Sequence, residues 1–260
     1  MIREYLDGIL LYRFEGVREG EGVEHAILTR VGGVSQGAYA TLNLSRSVGD
    51  DLAAVEENHR RALGALGIEP GQTVSPHQVH GARVEVVGRA HRGTLRSATD
   101  ALVTVEAGVP LLMRFGDCTP VLFVDLERRA MGIAHAGWRG VVAGSVPATV
   151  EVMTRQLGCE RTDLWAGIGP TIGPCCYEVG PEVAAAVQSA CPVGVDVVRH
   201  IDGRMHLDLP AAVGAQLRAA GVERVEDSRL CTACRVDEFF SHRAERGRTG
   251  RFGIVMELLK

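Results

Sequence analysis

The chain has 260 residues, 46% of them hydrophobic and 23% charged, the balance of a globular protein with a sizeable core. A formal charge of -4 and an isoelectric point near 6.1 lack the strongly basic face that nucleic-acid binding requires, so no nucleic-acid partner is expected. No apolar run approaches the roughly 20 residues that cross a bilayer, and no membrane association is expected either.

The opening MIREYLDGILLYRF carries Glu4 and Asp7 without a long apolar segment or a cleavage site, so it does not read as a signal peptide. The expected compartment is the cytoplasm. HAILTR (25–30) reads as a short strand, followed by a glycine-rich polar loop over 31–50. In DLAAVEENHRRALGALG, Leu52, Val55, His59, Leu63 and Leu66 recur at helical spacing, with Asp50 or Asp51 as the cap and Gly67 as the stop. RVEVV (83–87) is a strand, and ALVTV (101–105), PLLMRF (110–115), PVLFVDL (120–126) and AMGIAHA (130–136) are four more. Short gaps predict two hairpins, one from the first pair and one from the last. Their near-continuous apolar character predicts strands covered on both faces.

Pro147 fits a first helical turn but not a helix interior, which places the regular helix over Ser145–Leu157, ended by Gly158. DLWAGI (163–168) is a buried strand. Helices follow from Pro181 through Ala190, over 209–220 and, briefly, over 237–242; GIVMEL (253–258) closes the chain as a strand. There is no internal repeat and no linker, so residues 1–260 form one domain. Strands mixed with helices and hairpins predict an α/β sandwich with a mixed sheet, not a strict βαβ array.

Three stretches put metal-ligating side chains at strand ends: SPHQVHG (75–81), GDCTP (116–120) and IAHAGWRG (133–140). Two imidazoles and a thiolate, His80, Cys118 and His135, suit zinc and leave a fourth position for water or substrate, as a catalytic site does. The alternative open at this point is a core cysteine beside two hydrogen-bonded histidines. Asp117 is a candidate proton carrier or ligand-orienting group. His77, three residues before His80, falls on the opposite side of a strand, and His59 lies on an apolar helical stripe as a satisfied core histidine.

Arg30, Arg46, Arg139 and Arg251 are candidates for phosphate, because a guanidinium matches phosphate oxygens in a fork. Glycines beside Arg30 and Arg139 leave room for a ligand. Asn43 is a candidate for ribose hydroxyls. The seven cysteines, with no export signal, are expected to be thiols, ligands or nucleophiles rather than bridges. Cys175, in the loop GIGPTIGPCC, is a candidate for lining the pocket; a disulfide to its neighbour Cys176 is disfavoured. Cys231 and Cys234 form a single CxxC, which reads as structural.

QVHG, DCTPVLF, AHAGWRG, GPCCYEVG and a C-terminal CT…D…FFSHR…GRTGR occur in order, between Thr29–Gly33 and Thr249–Arg251, and resemble the YfiH family. Its members are described as laccase-domain or polyphenol oxidase proteins and as purine nucleoside phosphorylases. The resemblance implies a three-layer α/β/α sandwich and zinc held by His80, Cys118 and His135. It further implies phosphorolysis of adenosine, inosine, guanosine and methylthioadenosine, and deamination of adenosine. Purine nucleoside and phosphate are then the partners of an expected monomer. Asp117, Cys118 and His135 are the catalytic candidates, with Arg30, Asn43, Arg139 and Cys175 on substrate or phosphate.

Two departures stand out. Gly116 occupies a place where alanine is commoner, a harmless change on the sequence alone, and SHRAERGRTG is longer and richer in arginine than usual, which bears on phosphate contacts. Three rival readings remain. Copper-dependent phenol oxidation, with copper as the alternative metal, calls for HxH pairs that these nine histidines never form. A metal-free hydrolase would use a Cys118–His135 dyad. A non-enzymatic partner-binding protein would want a long exposed apolar or charged segment, and the chain shows none.

Overall fold

The computed structural model describes residues 1–17 and 20–260. The chain opens with strands β1 (Ile2–Leu6), β2 (Ile9–Arg13) and β3 (Val23–Leu28). Helix α1 (Leu52–Ala65) follows the polar loop, its first turn capped by the Asp51 carboxylate accepting from the Ala53 N–H. Short strands β4 (Ser75–Pro76), β5 (Val84–Val86) and β6 (Leu95–Arg96) lead to β7 (Ala101–Thr104) and β8 (Leu111–Phe115). Strands β9 (Thr119–Asp125) and β10 (Ala130–Ala136) precede helices α2 (Trp138–Ala143) and α3 (Ser145–Leu157). The remainder is β11 (Trp165–Ile168), α4 (Pro181–Ser189), β12 (Val198–Ile201), β13 (Arg204–Leu207), α5 (Leu209–Ala219), β14 (Arg224–Asp227) and β15 (Phe252–Leu258).

Two large sheets organise these strands. One has five strands in the order β1-β2-β3-β15-β8, and the other six in the order β14-β11-β9-β10-β7-β5. The first is antiparallel throughout; the second is mixed, with β11–β14 and β5–β7 parallel. Between them lies a buried core to which Ile27, Met113 and Ile254 of one sheet and Leu122, Val124 and Ile133 of the other contribute. Alternate residues point the other way. Val121, Phe123 and Ala134 join Val150 and Met153 of α3 and Leu217 of α5, while Leu11, Leu28 and Val255 join Ala62 and Leu63 of α1. Each central strand is therefore covered on both faces, which is why it reads as an unbroken apolar run. The α/β sandwich has the expected helix–strand–helix layering, with a middle layer that is itself two sheets.

One expected hairpin forms and the other does not. Strands β9 and β10 pair, with Asp125 opposite Ala130 at the turn. Strands β7 and β8 sit in different sheets, β7 against β10 and β8 against β15. The chain turns a corner at Gly108, where φ is +73°, and Pro110 has no N–H for a ladder. The segment 237–242 is held by turns rather than a helix, with Phe239 and Phe240 driven into the core. Gly144, at φ +78°, separates α2 from α3 and leaves Pro147 in a first turn, where its missing N–H costs nothing.

Candidate active site

The β9–β10 register creates the site. Ala136 is opposite Thr119 and His135 opposite Pro120, so Cys118, one residue before β9, arrives beside the end of β10. On the other flank β10 pairs with β7, Ala134 opposite Ala101, which brings Asp100 against His135. The His135 backbone N–H donates to the Asp100 carbonyl (2.8 Å), and the His135 Nδ1 lies 2.9 Å from Asp100 Oδ1.

Asp100 also receives the 79–81 turn. Its carboxylate accepts from the N–H groups of Val79 (3.2 Å), His80 (2.9 Å) and Gly81 (2.8 Å). His80 is held there with φ at +62°. One completely buried carboxylate thus orients one imidazole through its ring and the other through its backbone. Burial would raise the Asp100 pKa, but the bonds from His135 and the Gly81 N–H outweigh it and hold the group below its usual range. Sequence reading overlooked Asp100, although its setting in TDALV, an acid directly before a buried strand, is the signal that singled out Asp117.

The ligand atoms of His80, Cys118 and His135 lie within 4.8 Å of one another. The two imidazoles meet edge to face at 4.8 Å, and the Phe115 ring backs His135 at 5.6 Å. Burial alone would push the Cys118 thiol up, but His135 and His80 bring it below its ordinary value. His135 moves the other way: burial opposes its charge, and Cys118 with Asp100 more than restores it. A pair this biased toward thiolate and imidazolium is one in which a metal cation can take the place of the proton. A Cβ added at Gly137 would stand 2.7 Å from Cys118 Sγ and 3.4 Å from His80 Cδ2, so only glycine leaves this ligand set its room.

The triad opens on a cavity of about 960 Å³, large enough for a nucleoside-sized ligand. Arg114, Arg139, Arg243 and Arg251 line it, together with Trp138 and Tyr177. Arg46 also reaches the cavity but is paired with Glu56 at 2.7 Å. No carboxylate forms an ion pair with the first four among the described residues. Burial, with the neighbouring Arg46, lowers the Arg114 pKa to about 10, the mark of a guanidinium short of counter-charge. The Arg139 guanidinium lies over Trp138 at 4.5 Å and Arg243 over Tyr177 at 5.0 Å. A smaller cavity of about 430 Å³ lies beside Pro147 and Cys191, and neither cluster of potential metal ligands among the described residues lines it.

The other expected site residues divide. Arg139 and Arg251 line the cavity, as does His77, which stays outside the ligand set. Arg30 does not. Its guanidinium donates to the carbonyls of Ala40 (2.8 Å) and Val236 (2.7 Å), pairs with Glu245 (3.0 Å) and covers Phe240. Asn43 is completely buried and ties the polar loop together, donating to Asp50 and accepting from the Arg251 N–H. Cys175 lies with Cys176, Cys231 and Cys234, away from the cavity lining. Asp117 lines the cavity, at φ +90°, but both carboxylate oxygens are engaged: Oδ1 accepts from the Thr232 hydroxyl (2.6 Å) and Oδ2 from the Arg243 N–H (2.6 Å). This carboxylate ties two loops together at the cavity wall. His59 is the satisfied core histidine expected, donating to the Leu44 carbonyl at 2.9 Å.

A two-imidazole, one-thiol centre lining a cationic, aromatic cavity defines a candidate metal-dependent site for an anionic, ring-bearing small molecule. The chain belongs to the family described as multi-copper polyphenol oxidoreductase laccase, whose model matches residues 24–258. It is 37% identical to the purine nucleoside phosphorylase YlmD of Geobacillus stearothermophilus, covering 88% of each chain. It is 42% identical to a purine nucleoside phosphorylase of Deinococcus radiodurans, covering 91% of this chain and 89% of that one. The crystal structure of YlmD superposes with a TM-score of 0.93 at 35% identity, over 99% of this chain and 98% of that one. The Bacillus licheniformis hypothetical protein YfiH gives 0.90 at 32% identity, over 98% and 97%. No helix among the described residues is long and apolar enough to cross a membrane.

Proposed function

We propose that this chain is a zinc-dependent purine nucleoside phosphorylase acting on adenosine, inosine, guanosine and methylthioadenosine, with an accompanying adenosine deaminase activity. One observation carries the reading: the His80–Cys118–His135 centre opens onto a cavity lined by Arg114, Arg139, Arg243 and Arg251, none of which forms an ion pair with a carboxylate among the described residues. The names of the relatives support it.

In phosphorolysis a phosphate oxygen bonds to the anomeric carbon as the glycosidic bond breaks. The purine departs with the bonding electrons and takes up a proton. Arg114, Arg139, Arg243 and Arg251 bind the phosphate and set its oxygen toward the sugar, and that orientation supplies much of the rate. Trp138 and Tyr177 offer flat faces to the purine. Asp100 keeps the His135 Nδ1 occupied, so the other ring nitrogen is the one turned to the centre. Asp117 keeps Cys118 in place through the loops it joins.

Zinc held by His80, Cys118 and His135 would supply a Lewis acid in the wall of the cavity. A thiolate with two imidazoles suits zinc and copper alike. A multicopper centre needs several histidine clusters, and among the described residues only this one contains histidine. The test joins metal analysis of the purified protein to its incubation with adenosine or inosine plus phosphate. Expected are zinc at this centre, free base and ribose 1-phosphate; Cys118→Ala should lose the zinc of this centre and both products, and inosine formed from adenosine without phosphate reports deamination. Full turnover after zinc removal would shift the reading to a Cys118–His135 dyad, and bound copper with phenol oxidation would overturn it.

A further inference from the structure

Two loops leave the ends of the parallel neighbours β11 and β14 and run together for a few residues. Thr171 donates its N–H to the Leu230 carbonyl (3.1 Å), and Thr232 donates back to Thr171 (3.0 Å). That short ladder delivers Cys175 and Cys176 from one loop and Cys231 and Cys234 from the other to a single point. All four sulfurs lie within 4.8 Å of one another, with Cys234 Sγ 3.5 Å from Cys175 Sγ and 3.4 Å from Cys176 Sγ. These separations are far beyond the roughly 2.05 Å of a disulfide. They are close to the spacing of about 3.8 Å that four sulfurs take around zinc with bonds of about 2.3 Å. The Gly173 N–H donates to Cys231 Sγ at 3.2 Å, a bond that favours a thiolate at that position. The Gly173 backbone lies against the cluster, a Cβ there falling 3.4 Å from both Cys175 Sγ and Cys231 Cβ.

We infer that Cys175, Cys176, Cys231 and Cys234 form a second metal site, a closed tetrathiolate centre for zinc. Four protein ligands leave no position for substrate, and none of the four lines the catalytic cavity, so this centre is structural. The lone CxxC looked insufficient in the sequence because its partner pair lies more than fifty residues upstream. The centre also has a mechanical consequence. Asp117 accepts at its carbonyl from the Ile172 N–H (3.0 Å) and the Thr171 hydroxyl (2.7 Å), and at its carboxylate from Thr232. The loops that zinc would staple are thus the loops that hold Asp117, the neighbour of Cys118. Cys175 and Cys234 are exposed, which gives the ion a way in.

The inference stands apart from the nucleoside reading and is tested without substrate. Metal analysis of wild-type protein should find two zinc ions per chain, against one in Cys231→Ser/Cys234→Ser. A His80→Ala/Cys118→Ala variant should keep one, and X-ray absorption on that zinc should find four sulfurs at about 2.3 Å. Should the double-serine variant fail to fold, cobalt reconstitution of His80→Ala/Cys118→Ala still decides, through the intense charge-transfer absorption of a cobalt tetrathiolate. A single zinc in wild type that is absent from His80→Ala/Cys118→Ala would overturn the site, as would a disulfide among the four cysteines.

Discussion

Gly137 shows how one missing methyl group shapes the chemistry. Its backbone, at φ -74° and ψ 175°, is open to any residue, so the glycine is not there for conformational freedom. What excludes a side chain is the ligand set, with Cys118 Sγ only 2.7 Å from where a Cβ would stand. Gly137→Ala should therefore fold and lose less than about 1 kcal/mol of stability at this helix cap. It should also bind zinc at the His80–Cys118–His135 centre at least about tenfold more weakly, the scale on which misplaced ligands act. Chelator competition followed by metal analysis measures this, and wild-type affinity would show that the centre has slack to spare. The motif AHAGWRG marks the position in the sequence, but its reason becomes visible only when β9 and β10 pair.

At the scale of elements, what the sequence revealed is what is encoded locally. Helices α1 and α3 and the β9–β10 hairpin follow from spacing, caps and a stop signal a few residues apart. Even Asp7–Gly8 at the β1–β2 turn, both at positive φ, is a local hairpin signal, although it went unread. The crossing at Gly108–Pro110 was illegible for a physical reason. A strand apolar on both faces satisfies either sheet, so loop length cannot choose between them. Asp100 and the cysteine cluster escaped similarly, since their partners lie 19 to 59 residues away.

Two buried histidines join neighbouring elements and make stability depend on pH. His25 accepts from the Phe14 N–H at 2.9 Å, linking β3 to the end of β2, and His59 fastens α1 to Leu44. Burial foremost, aided by nearby arginines, lowers each pKa to about 4. Between pH 6.5 and 4 the unfolded chain then binds protons that the native state refuses. Their contribution is complete above pH 6.5 and is lost as the pH falls toward 4, by roughly 3 kcal/mol for each histidine. Urea unfolding across this window should show that loss. His25→Gln should flatten the slope by up to about 1.4 kcal/mol per pH unit, and an unchanged slope would mean that His25 is charged in the native state.

For the whole molecule the decisive feature is that two stacked sheets end at a common rim where guanidinium groups collect in a chain of net charge -4. Arg251 is the instructive member. Burial lowers its pKa, with Cys118 and Asp117 opposing, and its NH1 reaches only the carbonyls of Thr249 and Gly250. A Cβ at Gly116 would lie 3.0 Å from Arg251 Cδ, so the glycine that looked harmless in the sequence leaves room for this arginine just past the end of β8. If these arginines await phosphate, the anion alone should stabilise the protein without any nucleoside. At a hundred times its dissociation constant phosphate should add about 2.7 kcal/mol, a rise of about 5–10 °C in Tm for a chain of this size. In Arg251→Gln the same concentration should give a clearly smaller shift, because one fork of donors is gone. Chloride at equal ionic strength separates binding from screening. Equal shifts in the two proteins, or a chloride effect as large as that of phosphate, would take Arg251 out of the phosphate site.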